Sequence, residues 1–455
     1  MRSPKILWNR SDSTVNRYHY FASLSIESKS KQIMNLLKMY KTYRRMMRAQ
    51  WLDRLRIQEI QERKLRHVVR QAYKTVPFYK RLFDEAGISP VNINTLYDLE
   101  RIPITTKSIL QEFAPEFLIN RTMDPGNLKT EHSSGSTGRP FTVFFNSDYL
   151  YVRNALFLRG LRAAGYNIGR KLLLVTSSGS DKRSKHWLRW RYASIQDPPE
   201  LLLEQVNRFR PDFLYGFTTP LRQLAEYICS TNSLVFQPEK IITTAEMIDT
   251  PTRRFLEDTF NAEVYDFYGS TEMGLIGWEC TEHNGHHLAE DTTIIEHLPI
   301  ENAGDVSKLV MTNLDLMSMP FIRFDAGDVG IPGKREPCRC GRGFSLLERV
   351  EGRIVDCVQL KDGRRISPYK LTCELEKLQG IARYQVIQED YGRFTVKVES
   401  GKRGVTVRDD EIYKVMHSVL GKEIKVVVQK NVKIEPTPGR KFRVIESEVA
   451  RVINS

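Results

Sequence analysis

A chain of 455 residues, 41% of them apolar, is long enough for one large core and a second domain, and it holds no run of 18 apolar residues that would suggest a membrane span. Its six cysteines, at 229, 280, 338, 340, 357 and 373, fit a reducing compartment better than a disulfide scaffold, and the start lacks a signal peptide's apolar core, so a cytoplasmic protein is expected. The formal charge of +14 is concentrated: residues 29–70 carry thirteen Lys and Arg against three acids, which argues for one basic surface and against a chain wrapped in nucleic acid.

Ile33, Leu36, Leu37, Tyr40, Tyr43, Met47, Trp51 and Leu55 recur mostly at intervals of three and four, with Lys38, Lys41, Arg44, Arg45 and Arg48 between them. That period predicts a basic amphipathic helix over 33–55, inside an extension formed by residues 1–64. Its apolar stripe suits the main domain, an anionic surface such as the inner face of a membrane, or a partner protein, and composition does not choose among them. No nucleic-acid recognition module accompanies it. Residues 64–120 read as helix, loop and helix around Thr75-Val76-Pro77-Phe78-Tyr79.

The run His132-Ser133-Ser134-Gly135-Ser136-Thr137-Gly138-Arg139-Pro140 then places four hydroxyls, two glycines and a guanidinium within nine residues. Glycine permits the backbone angles that turn successive N–H groups toward an anion, the hydroxyls donate hydrogen bonds, and Arg139 offers a charged fork, so the loop suits a polyphosphate. The same letters make an ordinary turn, and the spacing of the common GxxxxGK[S/T] phosphate loop is absent.

Beyond this loop, strands at 171–175, 239–243 and 262–267 with a helix at 220–229 predict an α/β domain built on parallel strands. Short strands follow at 308–312 and 321–330. Past residue 355 the pattern is helix 368–378, strands 382–388 and 393–398, helix 409–420 and strand 424–428, a small α+β unit.

Tyr268-Gly269-Ser270-Thr271-Glu272-Met273-Gly274 follows directly on the third of those parallel strands. A glycine-containing turn at a strand's C-terminal end is where open α/β sheets place ligands, and Glu272 there suits Mg²⁺; an ordinary strand-to-helix turn reads the same. Arg323-Phe324-Asp325-Ala326-Gly327-Asp328 puts a carboxylate after a strand, where it suits the two hydroxyls of a ribose, although a lone Asp in a turn is usually a cap. Gly352-Arg353 and Gly439-Arg440-Lys441 complete the series.

In this order, the four motifs resemble those of the adenylate-forming superfamily of acyl-CoA synthetases, most closely its phenylacetate-CoA ligase and CapK-like group. The likeness runs from about residue 65 to 455 and includes the entry segments Val76-Pro77-Phe78-Tyr79 and Pro103-Ile104-Thr105-Thr106-Lys107. The resemblance implies a large domain over 65–354 that binds ATP and an acid, and a mobile lid over 355–455. It implies that Ser133, Ser134, Gly135, Ser136, Thr137, Gly138 and Arg139 wrap the phosphates, with Tyr268, Gly269, Ser270 and Thr271 also at the nucleotide. Glu272 would ligate Mg²⁺, Asp328 would bind the ribose with Arg353 beside it, and Lys441 would be the adenylation lysine. The acid pocket would be lined by Phe141, Tyr215, Gly216, Ala245, Glu246, Phe267 and Tyr268.

The match has departures. Arg139 stands where the family more often has Lys, Val355-Asp356 stands where an acidic pair is usual, and Gly439-Arg440-Lys441 leaves Arg440 and Lys433 as rivals of Lys441. Cys280, His287, Cys338 and Cys340 offer two half-sites for tetrahedral Zn²⁺, with His283 or His286 as substitutes; buried free thiols are the alternative, and Cys229, Cys357 and Cys373 look isolated. The implied function is activation of a carboxylic acid by ATP and Mg²⁺, with release of pyrophosphate and transfer to CoA. A carrier-protein thiol or an amine in polysaccharide or secondary metabolism is the other acceptor, and a non-catalytic nucleotide-binding scaffold the other class.

Overall fold

The computed structural model describes residues 29–133, 141–177, 189–301, 303–334, 336–353, 357–366, 368–400, 407–434 and 443–449. The chain opens with helices α1 (Lys29–Ala49), α2 (Arg54–Thr75) and α3 (Pro77–Glu85), then β1 (Thr105–Thr106), α4 (Lys107–Gln111), α5 (Pro115–Leu118) and the hairpin β2 (Lys129–Ser133) and β3 (Phe141–Phe145). An alternating stretch follows: α6 (Ser147–Ala163), β4 (Leu172–Thr176), β5 (Trp190–Ser194), α7 (Pro199–Phe209), β6 (Phe213–Phe217), α8 (Thr218–Thr231), β7 (Lys240–Thr244), α9 (Thr250–Phe260) and β8 (Glu263–Ser270). Next come β9 (Gly274–Glu279), β10 (His286–Leu288), β11 (Thr293–Pro299), β12 (Ser307–Asn313), β13 (Phe324–Pro332) and β14 (Leu346–Arg353). The last unit holds β15 (Val358–Gln359), β16 (Arg365–Ile366), α10 (Pro368–Leu375), β17 (Ile381–Asp390), β18 (Arg393–Ser400), α11 (Asp409–Leu420), β19 (Lys425–Lys430) and β20 (Ile445–Ser447).

One mixed sheet of twelve strands organises the large domain, in the order β11-β12-β13-β14-β10-β9-β8-β7-β6-β4-β5, with β1 beside β13. The five strands from β8 to β5 are parallel, as the strand-and-helix alternation predicts, and from β9 onward the neighbours run antiparallel except for β1, which pairs parallel with β13. Leu172, Leu173, Leu174 and Val175 of β4 are all buried, because helices cover both faces of a parallel sheet. Successive side chains enter two cores: Leu172 and Leu174 join Phe157, Trp190 and Phe267 on one face, while Leu173 and Val175 join Leu221, Leu256 and Val264 on the other.

The helix expected over 33–55 is broken. α1 ends at Ala49, and Asp53 caps α2 by accepting a hydrogen bond from the Arg56 N–H at 2.9 Å. α2 then runs without interruption through residue 64. One side of α1 lies on α6, with Met46 and Ala49 buried. Arg159 of α6, 0% exposed, fixes that contact: it donates to the Met46 carbonyl at 3.1 Å, forms a bidentate pair with Asp291 at 2.9 Å, and lies over Trp278 and Phe344.

The C-terminal unit has its own core, centred on Val386, Val396, Leu371 and Ile412, under a sheet in the order β19-β18-β17-β20. It rests on the large domain through α9 against β17, and through Met247, which packs into the C-terminal core. Arg222 of α8, buried against Glu226 at 2.9 Å, reaches Glu399 of β18 at 3.6 Å. Among the described residues, no helix is long and apolar enough to cross a membrane.

Candidate active site

The parallel strands β6, β7 and β8 end along one edge of the sheet, and the candidate residues collect there. Gly216 pairs with Thr243 on β6 and β7, and Ala245 follows β7 with a left-handed φ of 68°, a strained conformation for a residue with a side chain. β8 brings Tyr268, Gly269 and Ser270 to this edge and turns back into β9. The turn is tight: a Cβ on Gly269 would lie 2.6 Å from the Gly274 carbonyl oxygen.

Residues outside the motifs hold the turn. Asn313 donates to the Glu272 carbonyl at 3.2 Å and to the Tyr149 hydroxyl at 2.7 Å, while that hydroxyl donates to the Met273 carbonyl at 3.0 Å. Ser270 Oγ accepts the Met273 N–H at 3.1 Å. Glu272 is buried, 6% exposed, with its backbone fixed on both sides.

The phosphate-loop candidate joins the paired strands β2 and β3 in sequence. Its flanks are paired, Ser133 with Phe141, and buried Ser133 accepts a hydrogen bond from Lys107 Nζ at 2.8 Å. Buried Arg153 ties the hairpin to the neighbouring turn, pairing with Glu131 of β2 at 2.8 Å while its aliphatic carbons approach Gly274. Ser134, Gly135, Ser136, Thr137, Gly138 and Arg139 lie outside the described residues, as do Arg440 and Lys441, which immediately precede the segment leading into β20. Lys433 follows β19.

The motif around residue 325 joins the same place. Tyr268 donates its hydroxyl hydrogen to Asp328 Oδ2 at 2.7 Å, and Asp328 of β13 is paired with Arg353 of β14. Arg323 instead points away to structural work: buried, it binds Glu296 at 2.7 Å and the carbonyls of Glu100 and Ile102. Tyr268, Asp328 and the Arg353 backbone are therefore neighbours, and the Glu272 turn is linked through Arg153 to the hairpin.

The acid-pocket residues divide. Half-buried Tyr215 packs edge-on to Phe157 at 5.1 Å and to Phe267 at 6.2 Å. Phe267 and Phe141 are core residues, 1% and 5% exposed, the latter edge-on to Phe321. The Glu246 carboxylate accepts the Thr219 N–H at 2.7 Å and so serves the start of α8. Lys107, Tyr149, Arg153 and Asn313 were not singled out for site roles from sequence. Lys107 closes a segment that the family resemblance includes, whereas the other three sit in ordinary helix and strand patterns.

A second constellation lies where β9, β10 and the turn before β14 meet. One ligand atom each from Cys280, His287, Cys338 and Cys340 falls within 4.8 Å of all the others. Cys280 Sγ is 3.7 Å from Cys338 Sγ, and Cys340 Sγ is 3.2 Å from His287 Nε2. A tetrahedron with Zn–S bonds of about 2.3 Å has S···S edges of roughly 3.8 Å, so the three thiols and one imidazole suit Zn²⁺. Burial, then the Arg342 charge, pushes His287 down to about 4, which leaves it as the neutral imidazole a metal requires. Burial pushes Cys280 up to about 12; for Cys340 burial acts the same way, but hydrogen bonds from Arg342 outweigh it and lower the pKa.

The substitute ligands are engaged elsewhere. His286 Nε2 lies 3.0 Å from Asp266, and although burial opposes its charged form, Asp266 and Glu279 raise its pKa. His283 faces Glu279 at 3.4 Å and lies against Tyr265.

Residues 358–448 match the family model of the CapK C-terminal domain. The chain is 26% identical over 395 residues to a phenylacetate-coenzyme A ligase of Thermus thermophilus, covering 80% of this chain and 87% of that one. It is 22% identical over 364 residues to the CapK protein of Staphylococcus aureus, covering 74% of this chain and 77% of that one. Among solved structures, 2-hydroxyisobutyryl-CoA ligase in the postadenylation state, with 2-HIB-AMP bound, superposes with a TM-score of 0.74 at 21% identity, over 90% of this chain and 93% of that one. The thioesterification state of the same ligase gives 0.60.

Proposed function

We propose that this chain, a member of the adenylate-forming superfamily in the group that holds the phenylacetate-CoA ligases and CapK, joins a carboxylic acid to CoA through an acyl-adenylate. In the first step a carboxylate oxygen attacks the α-phosphorus of ATP and the bond to pyrophosphate breaks. In the second, the thiol of CoA attacks the acyl carbon and AMP leaves. The observation that carries the reading is the 2.7 Å bond from Tyr268 to Asp328, which joins two nucleotide motifs beside the Glu272 turn and the phosphate hairpin.

On this reading Asp328 takes the ribose hydroxyls with Arg353 alongside, and Ser133 to Arg139 donate to the outer phosphates. Ser133 is held for that task by Lys107. Lys441 offsets the negative charge that builds at the α-phosphorus during attack. Glu272, a buried carboxylate on a pinned turn, is a hard oxygen donor of the kind Mg²⁺ takes, and the ion would neutralise phosphate charge there. Cys280, His287, Cys338 and Cys340 hold structural Zn²⁺. Tyr215, with Gly216 and Ala245 at the same edge, faces the acid, and the aromatic backing of Tyr215 favours a small apolar or aromatic tail.

The deciding assay is acid-dependent pyrophosphate release across aryl and short-chain acids, with and without CoA, beside Lys441→Ala. Release should fall on the order of 100-fold or more in the variant, and a thioester should form only with CoA. The other acceptor class is a carrier-protein thiol or an amine. Pyrophosphate release without CoA thioester formation would select it. ATP binding without release for any acid would select a nucleotide-binding scaffold.

A further inference from the structure

α1 carries seven Lys and Arg and no acid in 21 residues. Elsewhere on the molecule helical cations face carboxylates, as Lys80 faces Asp84, Arg81 faces Glu85 and Arg56 faces Glu59. On α1, Lys38 approaches Asp148 at 3.6 Å, but among the described residues no ion pair engages Lys41, Arg44, Arg45 or Arg48. These four line a groove of about 620 Å³ whose remaining walls are apolar, with Leu37, Tyr40, Leu52 and Ile60. Leu37 and Tyr40 are 54% and 55% exposed, and Trp51 and Leu55 at the α1–α2 junction are 52% and 74% exposed.

Exposed Leu37 and Tyr40 thus share one groove with cations that no ion pair engages among the described residues. The side of α1 that carries Met46 is committed to α6, with Arg159 donating to the Met46 carbonyl, so the surface is preformed. Residues 1–28, with four Lys and Arg against two acids, are themselves net basic. A soluble polyanion would satisfy the guanidinium groups and gain nothing from Leu37, Leu52 and Ile60. An anionic bilayer satisfies both, with headgroups meeting the cations and the acyl boundary receiving the apolar side chains.

We propose that the outward face of α1, with its junction to α2, is a docking surface for an anionic phospholipid bilayer. The inference is independent of the reaction assigned to the active site. It places catalysis, whatever the acid, at a membrane surface, with α1 lying on the lipid.

The test is vesicle flotation of the full chain, using phosphatidylcholine alone or with about one-third phosphatidylglycerol, at about 0.05 M and 0.5 M salt. The protein should float only with the anionic vesicles and release at high salt. Replacing Lys41, Arg44, Arg45 and Arg48 together by Gln should weaken partition on the order of 100-fold, and Leu37→Ser with Tyr40→Ser about tenfold, with the native circular dichroism retained. Absence of flotation at low salt, equal flotation with neutral vesicles, or an unaltered partition in the charge variant would overturn the proposal. So would equal binding to inorganic polyphosphate that the Leu37 and Tyr40 substitutions leave intact.

Discussion

Tyr268 and Asp328 stand sixty residues apart in sequence and touch through one hydroxyl. Tyr268→Phe keeps the buried ring and removes only that donor, at a cost of about 1 kcal/mol, so the KM for ATP should rise roughly fivefold in a pyrophosphate-release assay with little change in melting temperature. On the proposed reading that the four-residue cluster holds zinc, Cys280→Ser should leave the protein with less than one equivalent of zinc by elemental analysis and lower its melting temperature, since one of four ligands would be lost. The metal-free protein should also be acid-sensitive. With His287 held at about 4 against an ordinary 6.5, the folded chain binds fewer protons than the unfolded chain between those values. Stability present above pH 6.5 is therefore lost as pH falls toward 4, by up to about 3 kcal/mol, and denaturant titrations across that range would measure it. The nearness of Tyr268 to Asp328 and the clustering of Cys280, His287, Cys338 and Cys340 join residues that the sequence singles out by motif order and residue type, while the roles proposed for them rest on the family resemblance. Phe141 and Glu246 show the limit: a buried ring and a capping carboxylate have the same letters as pocket residues.

At the scale of elements, α11 falls over Asp409–Leu420, where its apolar spacing predicts it, and β7 over Lys240–Thr244, one residue from expectation. Those elements carry their own signals, alternation or a 3.6-residue period bounded by turns. The break between α1 and α2 does not. The apolar period continues across it, and what ends α1 is contact with the turn before β14: the Gly343 N–H donates to the Gln50 carbonyl at 2.9 Å, Arg342 donates to the Gln50 side chain at 2.9 Å, and Arg342 lies over Trp51. A Cβ on Gly343 would fall 1.8 Å from the Leu52 carbonyl oxygen. Gly343→Ala should therefore cost about 3 kcal/mol, read as a lower denaturation midpoint, and should increase proteolysis between α1 and α2. At Gly341, two residues away, an added Cβ would meet the Trp51 ring at an ordinary 3.8 Å, so the cost of Gly341→Ala should come from its left-handed φ of 81°.

For the molecule as a whole, the described residues of the two domains meet through α9 against β17, through polar contacts such as Arg222 with Glu399, and through Met247, which packs into the C-terminal core. Glu399→Gln removes a carboxylate from buried Arg222, which retains Glu226, so the docked arrangement should weaken by about 1–3 kcal/mol. Small-angle scattering should then show a larger radius of gyration, while the separate cores leave the circular dichroism unchanged. This contact was invisible in sequence because Arg222 and Glu399 are joined only by tertiary placement of α8 and β18.

The pairing of β8 with β9 is the seam at which the great sheet changes from parallel to antiparallel. Tyr215, Gly216 and Ala245 belong to the parallel half, Asp328 and Arg353 to the antiparallel half, and Tyr268 stands on the seam. On the proposed reading this is a division of labour between acid choice and nucleotide grip. On that reading, substitutions after β6 and β7 should change the choice of acid while leaving the KM for ATP unaltered.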